Sequence, residues 1–324
     1  MSNQGLVYGY KLDGQGGGTA ISWSEIEQWQ PDQGPIWLHF DYTDSNAQQW
    51  IREASGLDSL VADALLSEES RPRASQLDNN SLLLALRGVN LSPGSNPEDM
   101  IGIRIWCDGK RIISTRKRRM LSAQDLVNAL ESGTGPCDVG DFITQLTYRL
   151  INRMQNTIQD TEDHVDEIED RVLTGQGEAL RSQVSGLRRQ VIALRRYLAP
   201  QREAMMQLQT LRINWLTDQH RQSLREVTDH LIRYLEDLDS VRDRAAVSQE
   251  ELGNQLSEQM NSRMYVLSLV AAVFLPLGFL TGMLGVNIGG IPGTESSAAF
   301  WWFSAVLLIL VILQLWYFRR KGWV

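Results

Sequence analysis

The feature that most constrains this chain lies near its end. Tyr265 to Leu284 and Ala298 to Phe318 contain no Asp, Glu, Lys, Arg or His. Each run offers about 20 residues, the length a helix needs to cross a hydrocarbon core of roughly 30 Å. A buried core hairpin of a soluble protein is the competing reading, and two such charge-free runs are rare in globular chains. Arg263 precedes the first run, Arg319, Arg320 and Lys321 follow the second, and the loop between them carries Glu295 as its charge. Basic flanks mark the cytoplasmic side. The expectation is a multi-pass protein of the inner (cytoplasmic) membrane, in contact with membrane lipid, with both termini cytoplasmic and a short loop outside.

The rest of the chain is long enough for a substantial cytosolic part. It has 324 residues, and its 43% apolar content suffices for a sizeable core. The opening stretch MSNQGLVYGYKLDGQGGG lacks the basic start and apolar centre of a secretory signal. A formal net charge of −8 argues against nucleic acid as a partner and suits cations better. Cys107 and Cys137 lack C-x-x-C spacing, so a reduced, cytosolic setting is the natural reading.

Residues 1–140 read as an α/β cytosolic domain, leaving an α+β arrangement open. Candidate strands are Leu6 to Leu12, Ile36 to Tyr42, Ser81 to Val89, Ile101 to Cys107 and Arg111 to Thr115, the last two joined by an Asp108-Gly109 turn that favours a hairpin. Ser22 and Glu25 have the spacing of a helix capping box, and Leu57 to Leu66 and Ala123 to Leu130 have helical apolar spacing. The GQGGG at 14–18 is followed by no Lys-Ser/Thr, so a plain turn is expected and not a phosphate loop.

Residues 141–263 read as a helical stalk. An apolar stripe of Ile151, Met154, Ile158, Val165, Ile168 and Val172 runs along a helix whose remaining surface is acidic, and an arginine-rich helix follows the break at 174–177. Salt bridges across this hairpin are expected; the alternative is an acidic face that concentrates cations. On that face Asp160, Asp163, His164 and Glu167 have the spacing to form a cytosolic cation site. A further helix begins near Thr217 or Asp218 and runs about 66 residues to Leu284, roughly 100 Å at 1.5 Å per residue. Its seam of alternating three and four spacing is apolar from Leu224 to Ala245 and turns to Gln255, Gln259 and Ser262 near the membrane.

Residues 264–324 form the transmembrane part, with helices at about 264–284 and 298–318. Two helices pack to about 8–10 Å and enclose no water-filled path, so a pore requires several subunits. The seam continues through Met264, Leu267, Ala271, Leu275, Gly278 and Gly282 to Gly285, as pore lining or as close-packing surface between helices. With no charge in either run, a passing cation keeps most of its hydration shell, and Met264, Leu267 and Leu275 are placed to act as apolar constrictions.

PLGFLTGMLGVN, residues 276–287, resembles the signature that closes the first transmembrane helix in the CorA superfamily of divalent-cation transporters. ESRPR at 69–73, SGTGP at 132–136, RRYLAPQR at 195–202, FLPLGFLTGMLGVNIGGIPG at 274–293 and FRRKGW at 318–323 are similar to its zinc-transporting ZntB branch. The resemblance implies a funnel-shaped homopentamer with cytosolic α/β domains, long stalk helices that continue as the pore helix, and an outer ring of second helices. It further implies that Gly285, Val286 and Asn287 are the ion-selectivity loop, with Asn287 meeting a hydrated ion weakly. Val286 stands where magnesium members typically have Met, which favours zinc. The implied function is transport of zinc or another divalent cation, with proton coupling open and no cofactor beyond the transported Zn2+. A magnesium or cobalt channel is the alternative within the class, a membrane-anchored sensor the alternative outside it; no nucleophile-base pair suggests an enzyme.

Overall fold

The structure, a computed structural model, describes residues 5–68, 70–174, 177–285, 293 and 295–321. In chain order it contains β1 (Leu6–Leu12), β2 (Gly18–Ala20), α1 (Trp23–Gln28), β3 (Ile36–Asp41), α2 (Ser45–Gln49), α3 (Ser59–Leu66), β4 (Arg73–Leu77), β5 (Ser81–Gly88), β6 (Ile101–Cys107) and β7 (Arg111–Arg116). There follow α4 (Leu121–Glu131), α5 (Val139–Asn152), α6 (Gln155–Leu173), α7 (Gly177–Thr210), α8 (Asp218–Leu284) and α9 (Ala299–Arg320). The chain divides into two compact units, Met1–Glu250 and Glu251–Val324.

One seven-stranded sheet, in the order β2-β1-β3-β7-β6-β5-β4, organises the first unit. Its pairs are antiparallel except β3 with β7, so the sheet is mixed. All five strands expected from period-two patterning form; β2 and β4, short and weakly patterned, were not anticipated. The β6–β7 turn works as its sequence requires. Gly109 adopts φ +87°, and Asp108 Oδ1 accepts from the Lys110 and Arg111 amides at 3.0 and 2.7 Å. A Cβ at Gly109 would stand 2.6 Å from Trp215 Cδ1, so glycine also admits that ring. The GQGGG stretch is a turn, in which Asp13 Oδ1 accepts from the Gln15 and Gly17 amides at 2.7 and 2.9 Å.

Alternation along β3 sends side chains into two cores. Ile36, Leu38 and Phe40 join Ile26, Ala47, Ile51, Val61 and Leu65 on the face covered by α1 to α3. Trp37 and His39 face the other way, where Trp37 packs 5.0 Å from Phe142 of α5, ring centroid to centroid. Ser22 and Glu25 complete the expected capping box ahead of α1.

The helical segment differs from expectation in its ion pairs. Among the described residues none joins α6 to α7. Arg244 of α8 instead binds Glu169 of α6 at 2.9 Å and also contacts Asp166, while Arg195 of α7 binds Asp239 of α8. The third helix supplies the partners because the apolar stripes of α6 and α7 face inward and their charged edges border α8. The predicted seam is buried from Leu224 through Leu252, and from Gln255 to Ser262 it is not.

His39 is fully buried, with Nδ1 2.7 Å from Ser114 Oγ, while Nε2 finds no partner among the described residues. Burial foremost, and Arg116 next, push its imidazole from 6.5 down to about 3. The unfolded chain therefore takes up a proton that the folded one refuses. Stability should fall as pH drops from about 6.5 toward 3, by about 1.4 kcal/mol per pH unit from this residue. The apparent unfolding temperature of the full chain, followed over that range, should depend less steeply on pH in His39→Gln than in the wild type; identical slopes would contradict this.

Candidate functional site

The membrane half of α8 carries the residues singled out for ion passage. One helix places Met264, Leu267, Ala271, Leu275, Gly278 and Gly282 along a single stripe, because steps of three and four return to the same face. In the isolated chain this stripe is bare: Met264 is 63% exposed, Leu267 70% and Leu275 74%. At Gly278 and Gly282 an added Cβ would meet no heavy atom within 4 Å. Packing among the described residues thus gives no reason for glycine at either place.

The C-terminal end of the stripe is held by local bonds. Pro276 lies inside the helix and removes one backbone donor. Thr281 Oγ1 donates to the carbonyls of Leu277 at 2.9 Å and Gly278 at 3.1 Å, and the Gly285 amide donates to Thr281 O at 2.9 Å. Gly285 is the last described residue of the expected selectivity signature. Val286 and Asn287 lie outside the described residues.

Both C-terminal segments are long and apolar enough to cross a membrane. Their most apolar 18-residue windows have mean hydropathy 2.2 in α8 and 2.1 in α9, and neither window is buried in the chain. Aromatic groups missed by the sequence reading mark the two ends of α9: Phe300, Trp301 and Trp302 at its start, Trp316 and Tyr317 at its close, all exposed. Such rings favour the boundary between hydrocarbon and water. Their signal was present as paired aromatic clusters flanking a charge-free run. Arg320 sits over the Trp316 ring at 5.4 Å.

The expected cytosolic cation cluster is not assembled. Asp160, Asp163 and Glu167 are exposed on α6 and His164 is half-buried beside them. Among the described residues no group of three or more His, Cys, Asp or Glu is placed to hold a metal ion. Asp163 instead accepts from Gln159 Nε2 at 3.0 Å. The surface is nonetheless strongly acidic. Partial burial, then Asp237, Asp166 and Asp163, raise the Glu162 carboxyl above its ordinary range, and burial, then Glu236, raises Asp237. Carboxylates that repel one another in this way attract mobile cations without fixing one.

The sequence matches the CorA-like Mg2+ transporter protein family over residues 32–320. It is 38% identical over 324 residues to the divalent cation transporter CmaX of Pseudomonas aeruginosa, covering 99% of this chain and 97% of that protein. It is also 38% identical over 318 residues to the zinc transport protein ZntB of Yersinia enterocolitica, covering 98% of this chain and 96% of that one. Among solved structures, the full-length CmaX protein is similar with TM-score 0.86 and 37% identity, over 99% of this chain and 98% of the other. Because the family match begins at residue 32, ahead of β3, and ends at residue 320, the last of α9, it takes in both the sheet and the two spans, and the chain belongs to the family of CorA-like Mg2+ transporter proteins.

Proposed function

We propose that this chain transports divalent cations, zinc foremost, across the inner membrane as a homopentamer. The observation that carries the reading is the bare stripe of α8. Its apolar side chains stay mostly exposed and its two glycines leave open space among the described residues, and copies of α8 set around an axis would line a path with them. The naming of close relatives as zinc and divalent-cation transporters supports the ion class.

In this reading the ion travels hydrated. A span without carboxylate or imidazole cannot replace the water shell of a divalent ion, so the groups it meets must bond to that shell. Asn287, repeated around the ring beside Gly285 and Val286, offers neutral amide oxygens of that kind. Neutral oxygens hold the ion weakly and let it go. Met264, Leu267 and Leu275 narrow the path and gate it by drying. A magnesium or cobalt channel is the second reading, favoured by the description of the matched family.

Liposomes holding the purified protein should take up zinc faster than empty ones, and Asn287→Ala should lower that flux by about tenfold or more. Flux equal to that of empty liposomes, or unchanged by Asn287→Ala, would sink the reading. Excess magnesium that abolishes zinc flux would favour the second. The proposed orientation has its own check: in a chain lacking Cys107 and Cys137, a cysteine placed at Glu295 should react with an impermeant thiol reagent added outside intact cells. One placed at Ser2 should react only after lysis, and the opposite pattern would reverse the topology.

A further inference from the structure

A cleft of about 310 Å³ in the first unit is lined by four arginines, Arg87, Arg104, Arg118 and Arg196. Arg87 and Arg104 reach it from neighbouring strands. In the β5–β6 ladder Arg87 pairs with Gly102 and Ala85 with Arg104, which puts the two arginines on one face of the sheet as diagonal neighbours. Arg118 comes from the segment after β7 and Arg196 from α7.

No ion pair reaches any of these four arginines among the described residues. The scarcity is not one of acids, since the chain has 39 Asp and Glu against 31 Lys and Arg. Within the cleft Lys117 is the cation that has a partner, Glu68, and the remaining carboxylates are those of Glu98 and Asp99. Positive groups there outnumber negative ones.

Arg104 is the most constrained of the four. It is 3% exposed, its Nη2 donates to the Glu68 carbonyl at 2.8 Å, and its guanidinium lies 4.8 Å from the Tyr42 ring centre. Its Nε has no partner among the described residues. Burial foremost, with Arg87 adding to it, lowers its pKa against the opposing pull of Tyr42 and, more weakly, of Glu68. Among the described residues the Arg87 guanidinium bonds to backbone oxygens, donating to Ser70 O at 3.0 and 3.2 Å and to Met100 O at 2.9 Å. A guanidinium taken from water without an anion is costly, and carbonyl dipoles and rings offset that only in part.

The two tyrosines of the cleft are engaged by the same cations. Arg87 and Arg196 both lie over Tyr197, at 4.6 and 4.8 Å. The rings therefore act as supports for the guanidinium groups, and recognition falls to the N–H groups that these bonds leave over, most of them on Arg118 and Arg196, whose geometry matches phosphate oxygens.

We propose that this cleft binds a compact phosphate polyanion, either pyrophosphate itself or the phosphate tail of a nucleotide. Calorimetric titration of the full-length protein in detergent, at low ionic strength with EDTA present so that metal chelation gives no heat, tests this with sodium pyrophosphate and, separately, ATP. Saturable binding near one site per chain is expected. Arg118→Glu with Arg196→Glu, both exposed positions, should weaken it at least about tenfold, as loss of charge-assisted bonds implies. Arg104→Gln should act in the same direction, and Arg52→Glu, which reverses a charge outside the cleft, should leave affinity unchanged. Binding of pyrophosphate without ATP would assign an inorganic ligand; comparable binding of both would assign the nucleotide tail. No saturable heat with either, or equal affinity in wild type and the Arg118→Glu, Arg196→Glu protein, would overturn the proposal.

Discussion

A backbone amide in hydrocarbon has no water to bond to, and the C-terminal part of this chain, from about residue 264, is shaped by that fact. The N–H and C=O groups of a membrane span must pair within the span, which leaves a helix as the one form open to two separate runs. Hence α8 continues as a single helix of 67 residues to Leu284 and α9 as one of 22. The same constraint makes Pro276 and the glycines tolerable, since a lost helix bond or a weak helix former can be carried by the turns on either side. It also leaves large side chains without cover. Phe274, Leu275, Trp301 and Trp302 are all at least 65% exposed in the chain taken alone. A surface of that kind is stable against lipid or against further copies, not against water.

Charge is distributed to a different logic in the first unit. Its helices are joined through Arg195 and Arg244 to carboxylates on other helices, and these exposed or half-exposed pairs contribute little to stability individually. They set which edges meet; the buried stripes of Ile158, Val165, Ile168 and of Leu224, Leu231, Leu238 supply the cohesion. Around Tyr42 and Tyr197, by contrast, Arg87, Arg104, Arg118 and Arg196 gather in one cleft with no ion pair among the described residues. They sit where sheet strands and α7 come together, and there Arg104 is held nearly dry.

Signals confined to neighbouring residues were legible in the sequence. Alternation gave the strands from Leu6, Ile36, Ser81, Ile101 and Arg111, the Ser22–Glu25 spacing gave a helix start, and the absence of charge gave both spans. Choices of partner were not legible. Nothing near Ile36 or Arg111 states that β3 and β7 lie side by side and parallel, because that pairing is decided by cores more than 70 residues apart in sequence. The charge pattern of α6 and α7 suggested mutual bridging, while the competing helix, α8, lay too far along the chain for a local pattern to show it. The cluster of Arg87, Arg104, Arg118 and Arg196 was invisible for the same reason: its members are scattered over four segments that only the folded sheet unites. The signature at 285–287 was readable as a motif, and its geometry at Val286 and Asn287 lies outside the described residues.

The central claim is that the path for the ion is built between copies of this chain, not within one. Native mass determination of the detergent-solubilised, transport-competent protein tests it most directly. The account predicts a complex of five copies of the 36.7 kDa chain. A monomer or dimer that still carries zinc across a bilayer would contradict it.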